Sequence, residues 1–247
     1  MRIKVEVCAG SVQSALIAQL AGAHRVELCS GLELGGITPS AATIEKTREI
    51  LDIEVYVLIR PRAGDFFYSS FEFDILKRDI LFCKNVKTDD GKKVEGIVIG
   101  ILQKDGQVDV ERTKELVELA APMKVTFHRA FDRAIDPFSS LEKIIETGAH
   151  RILTSGQFAD AYEGRFVLQE LVEKANGRIS IMPGAGVNAQ NILELSKTTQ
   201  AKEFHLSGKS EIKSKMTFEN PNFDFSENDF FETDLKKIMD TIKLAGS

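Results

Sequence analysis

With 247 residues, 43% of them hydrophobic, the chain can bury a sizeable core in one or two domains. A formal charge of −5 provides no basic footprint for nucleic acid, and no apolar run approaches the ~18 residues of a membrane span. The three cysteines (Cys8, Cys29, Cys83), with no charged-then-apolar leader and no CxxC or HxxH spacing, are read as reduced thiols of a cytoplasmic protein rather than a zinc finger.

Eight short apolar runs alternate with amphipathic segments. Strands are expected at Ile3–Cys8, Arg25–Cys29, Val55–Pro61, Gly96–Leu102, Lys124–Arg129, Arg151–Gly156, Ile179–Val187 and Glu203–Gly208. Helices are expected at about 11–21, 40–51, 71–86, 109–120, 137–146, 163–175, 189–197 and 233–244. Ser11, Thr38 before Pro39, Asp109, Asp136 before Pro137, and Asn188 read as caps. Lys209–Asp229 has no period and is expected to be an irregular loop, over the strand-end face or at a dimer contact. Eight βα units in a chain of ~250 residues predict an α/β fold, a single (β/α)8 TIM barrel spanning residues 1–247, with its site at the strand ends.

Gly22-Ala23-His24-Arg25-Val26 before strand 2 is echoed by Gly148-Ala149-His150-Arg151-Ile152 before strand 6, four strands on, and a Ser-Gly pair follows each. The echo reads as architecture: glycine ends a helix and arginine enters a strand.

Side chains alternate along a strand. If Val5, Val7, Val26 and Leu28 face the helices, then Glu6, Cys8, Glu27 and Cys29 face inward. The same parity turns Arg60, His128, Ser155, Gly184, His205 and Ser207 inward, with Arg62, Asp65 and Arg129 at the rim. Arg60 with Glu6 or Glu27 reads equally as a structural ion pair, and a buried inward cysteine usually fills space. Seven reactive side chains converging on one mouth nevertheless exceed what packing needs, because buried charge costs stability.

Several strings carry a resemblance: Glu6-Val7-Cys8, Glu27-Leu28-Cys29-Ser30, Gly35-Gly36-Ile37-Thr38-Pro39-Ser40 and Ile59-Arg60-Pro61-Arg62-Ala63-Gly64-Asp65-Phe66. They continue with Thr126-Phe127-His128-Arg129-Ala130-Phe131-Asp132, Leu153-Thr154-Ser155-Gly156, Ile181-Met182-Pro183-Gly184-Ala185-Gly186 and His205-Leu206-Ser207. Together they resemble the CutC family, over nearly the whole chain. The resemblance implies a TIM barrel, a cytoplasmic location, often a homodimer, and a role in copper homeostasis.

Two chemistries fit the inward set. Cu(I) prefers thiolate and thioether ligands, and Cys8 and Cys29 lie on adjacent strands, so they are the metal candidates, with Met182 or His205 as a third ligand. There is no CxxC or Met-rich tract, and carboxylates and arginines are unusual company for a soft metal. The alternative is a metal-independent enzyme acting on a small phosphorylated or carboxylated compound. Glu6 or Glu27 would be its base, His128 its acid, and Arg60 would sit at its centre. Arg62, Asp65, Arg129, Ser155, Gly184, Gly186, His205 and Ser207 would hold the ligand, the glycine-rich ends of strands 7 and 8 being a common anion site in barrels. A ligand sensor is the third reading. No lysine stands at an inward strand end for Schiff-base chemistry.

Overall fold

The computed structural model describes residues 3–218, 220, 222 and 229–246. Its elements are β1 (Lys4–Ala9), α1 (Val12–Leu20), β2 (Arg25–Leu28), α2 (Ala41–Ile50), β3 (Glu54–Leu58), α3 (Ser70–Asn85), β4 (Gly96–Ile99) and α4 (Val110–Ala120). They continue with β5 (Lys124–Phe127), α5 (Pro137–Glu146), β6 (Arg151–Thr154), α6 (Arg165–Ala175), β7 (Ser180–Pro183), α7 (Ile192–Thr199), β8 (Glu203–Leu206), β9 (Lys209–Ile212), β10 (Phe230–Thr233) and α8 (Leu235–Ala245). The first eight strands form one parallel sheet in the order β7-β6-β5-β4-β3-β2-β1-β8, rolled into a nearly closed TIM barrel with helices outside. Among the described residues no helix is long and apolar enough to cross a membrane.

Most caps follow the expected chemistry. Ser11, Asp109 and Asp136 accept backbone hydrogen bonds from Ser14, Arg112 and Ser139. Two are displaced. Helix α2 is capped by Ser40, because Thr38 instead uses its hydroxyl to accept the Arg60 amide at 2.8 Å, fastening the β2–α2 loop to β3. Helix α7 starts later than Asn188 predicts: the Asn191 side chain accepts the Asn188 amide, and Asn188 Oδ1 accepts from Gln190. The stretch expected to be irregular begins instead with β9, which pairs antiparallel with β10. Residues 219, 221 and 223–228 of it lie outside the described residues.

Alternation sorts the barrel side chains as expected. Val5, Val7, Val26, Leu28, Ile97, Val125, Phe127 and Phe204 belong to the apolar layer beneath the helices. Each large apolar side chain buried this way stabilises the fold by about 1.5–3 kcal/mol. The interior is polar. Arg25 binds Glu6, reaches Glu203 at 2.7 Å and Glu54 at 3.4 Å, and donates to Met182 Sδ at 3.5 Å. Arg151 contacts Glu203 at 2.8 Å and donates to Thr126 Oγ1 at 3.1 Å. Both guanidiniums lie over Tyr56, 4.7 and 5.5 Å from its centroid. These are the arginines of the sequence echo, and its histidines also act alike: His24 and His150 each accept a backbone amide on Nδ1, from Val5 and Val125, at 3.2 Å.

Replacing Arg25 by Met should leave Glu6 and Glu203 without their shared cation and cost about 3–5 kcal/mol of unfolding free energy. Urea unfolding followed by circular dichroism checks this; unchanged stability would remove the layer's structural role.

Candidate functional site

Above this layer, at the C-terminal ends of β1, β2 and β8, reactive side chains converge. Adjacent register on parallel strands brings Glu6 opposite His205 and Cys8 opposite Glu27. His205 Nδ1 is 2.7 Å from Glu6 Oε1, and its Nε2 is 3.6 Å from Glu27 Oε2. The Cys8 and Cys29 sulfurs are 3.4 Å apart, and Cys29 Sγ also donates to the Glu27 carbonyl at 3.6 Å. Ligand atoms of Cys8, Glu27 and His205 all lie within 4.8 Å of one another. No disulfide links the thiols.

The group lines a cavity of about 140 Å³ together with Leu32, Leu58, Phe66 and Leu153. Its upper lining is shared, through Gly35, Arg60, Phe66 and Arg129, with a wider cleft of about 740 Å³. Gly184 makes room on the β7 side: a Cβ there would lie 2.4 Å from Leu153 Cδ1 and 3.3 Å from His205 Cβ.

The electrostatics divide protons unevenly. Burial opposes ionisation of Glu6, but Arg25, His205 and Arg151 overcome it and hold the carboxyl well below its usual range. Burial likewise opposes charge on His205, yet contacts with Cys8, Glu6 and Glu27 keep the imidazole protonated well above its ordinary value. The Cys29 hydrogen bond, against burial and with help from His205, draws Cys8 down to about 6. Cys29 is pushed up by the same contact and by burial, and Glu27 is raised by burial and by Cys8. The metal-free cluster is a thiolate–imidazolium pair backed by an ionised Glu6.

Arg60 and His128 form the opposite wall. The Arg60 fork donates to the carbonyls of Gly35, Gly36 and Gly64, and its Cζ lies 4.8 Å from the Phe66 centroid. It ties loops together and does not pair with Glu6 or Glu27. His128 Nδ1 accepts the Ala130 amide at 3.0 Å. Burial and Arg60 push its imidazole down to about 3. Near neutral pH the ring therefore offers a hydrogen bond rather than the transferable proton of an imidazolium.

The other nominated residues lie apart. Arg62 is held by Asp65 at 2.9 Å and by Glu72, and lines neither cavity; Asp65 is exposed at the wide cleft. Arg129 pairs with Asp132 at 2.6 Å and donates to Ser155 Oγ at 3.1 Å, so it spans the lip of the inner cavity, whereas Ser155 stands behind it. Gly186, beside Asp160, and the exposed Ser207 are not on the lining. Met182 lies in the ionic layer below and does not face the thiols. At the β7 and β8 ends, where an anion site is expected, a separate cavity of about 300 Å³ is lined by Asn188, Ala189, Gln190, Gly208 and Lys237, while the Asp234 carboxylate caps α8 by accepting the Lys237 amide at 3.1 Å. Cys83 packs in the core from α3, as a structural thiol. Sequence reasoning missed Arg25, Arg151, Glu203 and Asp132. Strand parity alone marks the first three as inward, but nothing local marks Asp132, whose carboxylate accepts from Thr154, Ser155 and Gln157.

The fold and this cluster define a class: a parallel (β/α)8 barrel with a buried thiol–imidazole–carboxyl group at its strand ends. Comparison with known proteins is more specific. The CutC family profile matches residues 3–210. A CutC-named protein of Parabacteroides distasonis is 45% identical over 245 residues, spanning 96% of this chain and 98% of its own. One from Vibrio vulnificus is 47% identical over 220 residues, spanning 88% and 86%. A crystal structure of CutC from Streptococcus agalactiae, described as a candidate copper homeostasis protein, superposes with a TM-score of 0.77 at 33% identity, covering 83% of this chain and 98% of that one. Phosphoribosylanthranilate isomerase of Thermotoga maritima gives 0.60 at 12% identity over 98% of each chain, a likeness of fold alone. The chain belongs to the CutC family.

Two outcomes follow from the protonation pattern. In reduced, metal-free protein, alkylation of Cys8 by iodoacetamide should be half-maximal near pH 6, with the midpoint rising in His205→Asn, while buried Cys83, pushed up to about 12, stays unmodified. Peptide mass spectrometry measures both. Because Glu6 is depressed in the fold, its contribution to stability is present above the ordinary value of 4.5 and is lost as pH falls through the folded value. Glu6→Gln should therefore flatten the acid limb of a stability–pH curve below about 4.5.

Proposed function

We propose that this protein binds Cu(I) between Cys8 and Cys29, with His205 as the neighbouring nitrogen donor, and acts in copper handling in the cytoplasm. One observation carries the reading: two thiol sulfurs 3.4 Å apart at the head of a buried cavity, with an imidazole beside one of them. The donor set fits the ion, since Cu(I) is soft and takes thiolate and imidazole ligands. The family name and the description of the Streptococcus agalactiae relative support it, and three free thiols suit a reducing compartment.

The second reading asks Glu6, Glu27, Arg60 and His128 to work on a substrate as acid and base. Glu6 is engaged by Arg25 and His205, and Arg60 by main-chain carbonyls. The soft donors are therefore the better supported set. Glu6 would serve copper indirectly, by fixing the His205 ring through Nδ1 and leaving Nε2 on the cavity side.

Competition against a Cu(I) chelator should show tight stoichiometric binding by reduced wild-type protein and its loss in the Cys8→Ser/Cys29→Ser double variant. Glu6→Gln should weaken affinity about 10- to 100-fold. Copper binding indifferent to both cysteines would end the proposal.

A further inference from the structure

The inner cavity has a second wall that copper would not use. Arg60 is 5% exposed, and its fork is answered only by the carbonyls of Gly35, Gly36 and Gly64 at 2.8–3.0 Å. Among the described residues no carboxylate pairs with it. A guanidinium met by carbonyl dipoles and an aromatic face but by no counter-ion keeps a buried charge, which is costly unless an anion completes it.

His128 adds an unanswered donor. Its Nδ1 accepts the Ala130 amide, which puts the ring hydrogen on Nε2. The residue is 6% exposed and lines the cavity, and its Nε2 is buried with no hydrogen-bond partner among the described residues. Arg129, 43% exposed, stands at the lip. Between these donors lie Leu32, Leu58, Phe66 and Leu153, while Glu27 is the one carboxylate on the lining, beside His205.

We propose that this wall binds a small carboxylate with a short apolar body, its oxygens taken by His128 Nε2–H and the Arg129 guanidinium beside the buried charge of Arg60. The body packs on the leucines and Phe66. At about 140 Å³ the cavity limits the ligand to roughly the size of benzene, about six heavy atoms. A carboxylate fits better than inorganic phosphate. Phosphate is acceptor on every side, whereas this cavity sets the Arg60–His128–Arg129 donors on one wall against the leucines and Phe66, with Glu27 and the Cys8 and Cys29 sulfurs opposing further negative charge on the far side. The site does not depend on copper, which would use Cys8, Cys29 and His205 instead.

The test is calorimetric titration of the reduced, metal-free full chain at pH 7 with propionate, propionamide and inorganic phosphate. Propionate should bind saturably at one site, with propionamide and phosphate at least about tenfold weaker. His128→Phe and Arg129→Ala should each weaken propionate about tenfold or more, and His128→Gln, which keeps a side-chain N–H, should recover part of the loss. Urea unfolding confirms that the variants fold. In the unmodified protein the ¹⁵N resonance of His128 Nε2 should move on adding propionate. No saturable propionate binding, equal binding of the amide or of phosphate, or a resonance that does not respond would overturn the proposal.

Discussion

Arg25 is the contact on which the interior depends. Its guanidinium joins Glu6 of β1 to Glu203 of β8, and Arg151 reaches the same Glu203 from β6. Glu6 then fixes the His205 ring, and His205 in turn lies against Glu27 and Cys8. One chain of charge thus runs from the lower barrel to the thiols. Each buried charge is tolerable only because the next one answers it. Removing Arg25 from this chain would free Glu6 to take a proton, and His205 would lose one of the partners, beside Cys8 and Glu27, that hold it cationic.

The cavity combines two kinds of chemistry. Its β8–β1–β2 side gathers polarisable sulfur and an imidazole; the wall made by Arg60 and His128 gathers hard hydrogen-bond donors. Arg60 reaches its place because three main-chain carbonyls from two loops converge on its fork, so the residue that looked most like a catalytic cation also organises the mouth. The separation is why one set of inward residues supports both a copper reading and an anion reading.

The barrel was legible because apolar runs and capping residues repeat, and both follow local rules. Val5 and Val7 against Glu6 and Cys8 gave the correct faces by simple alternation. What alternation lacks is height. Glu6 and Cys8 share a face, yet Glu6 belongs to the ionic layer and Cys8 to the cavity; Met182 looked like a copper ligand and lies with Arg25 instead. Height depends on the stagger of neighbouring strands, which no single strand encodes. Loop residues were harder still. Arg62 and Ser155 sit in distinctive strings, but their partners, Glu72 and Asp132, come from a separate helix and a separate turn.

The barrel is also a split ring. Within the described residues β7 and β8 are not joined in the hydrogen-bonded sheet order, and a side chain reaches across the gap, Ser180 Oγ donating to Glu203 at 3.2 Å. Cys8, Glu27, Cys29 and His205 all stand on one side of that split, on strands that are hydrogen-bonded to one another. If the ring flexes, it opens like a cuff beside the cluster. The sulfurs and the imidazole then travel together on one lip, with their mutual spacing kept, while the opposite lip carries Ser180, Met182 and Gly184 away from them.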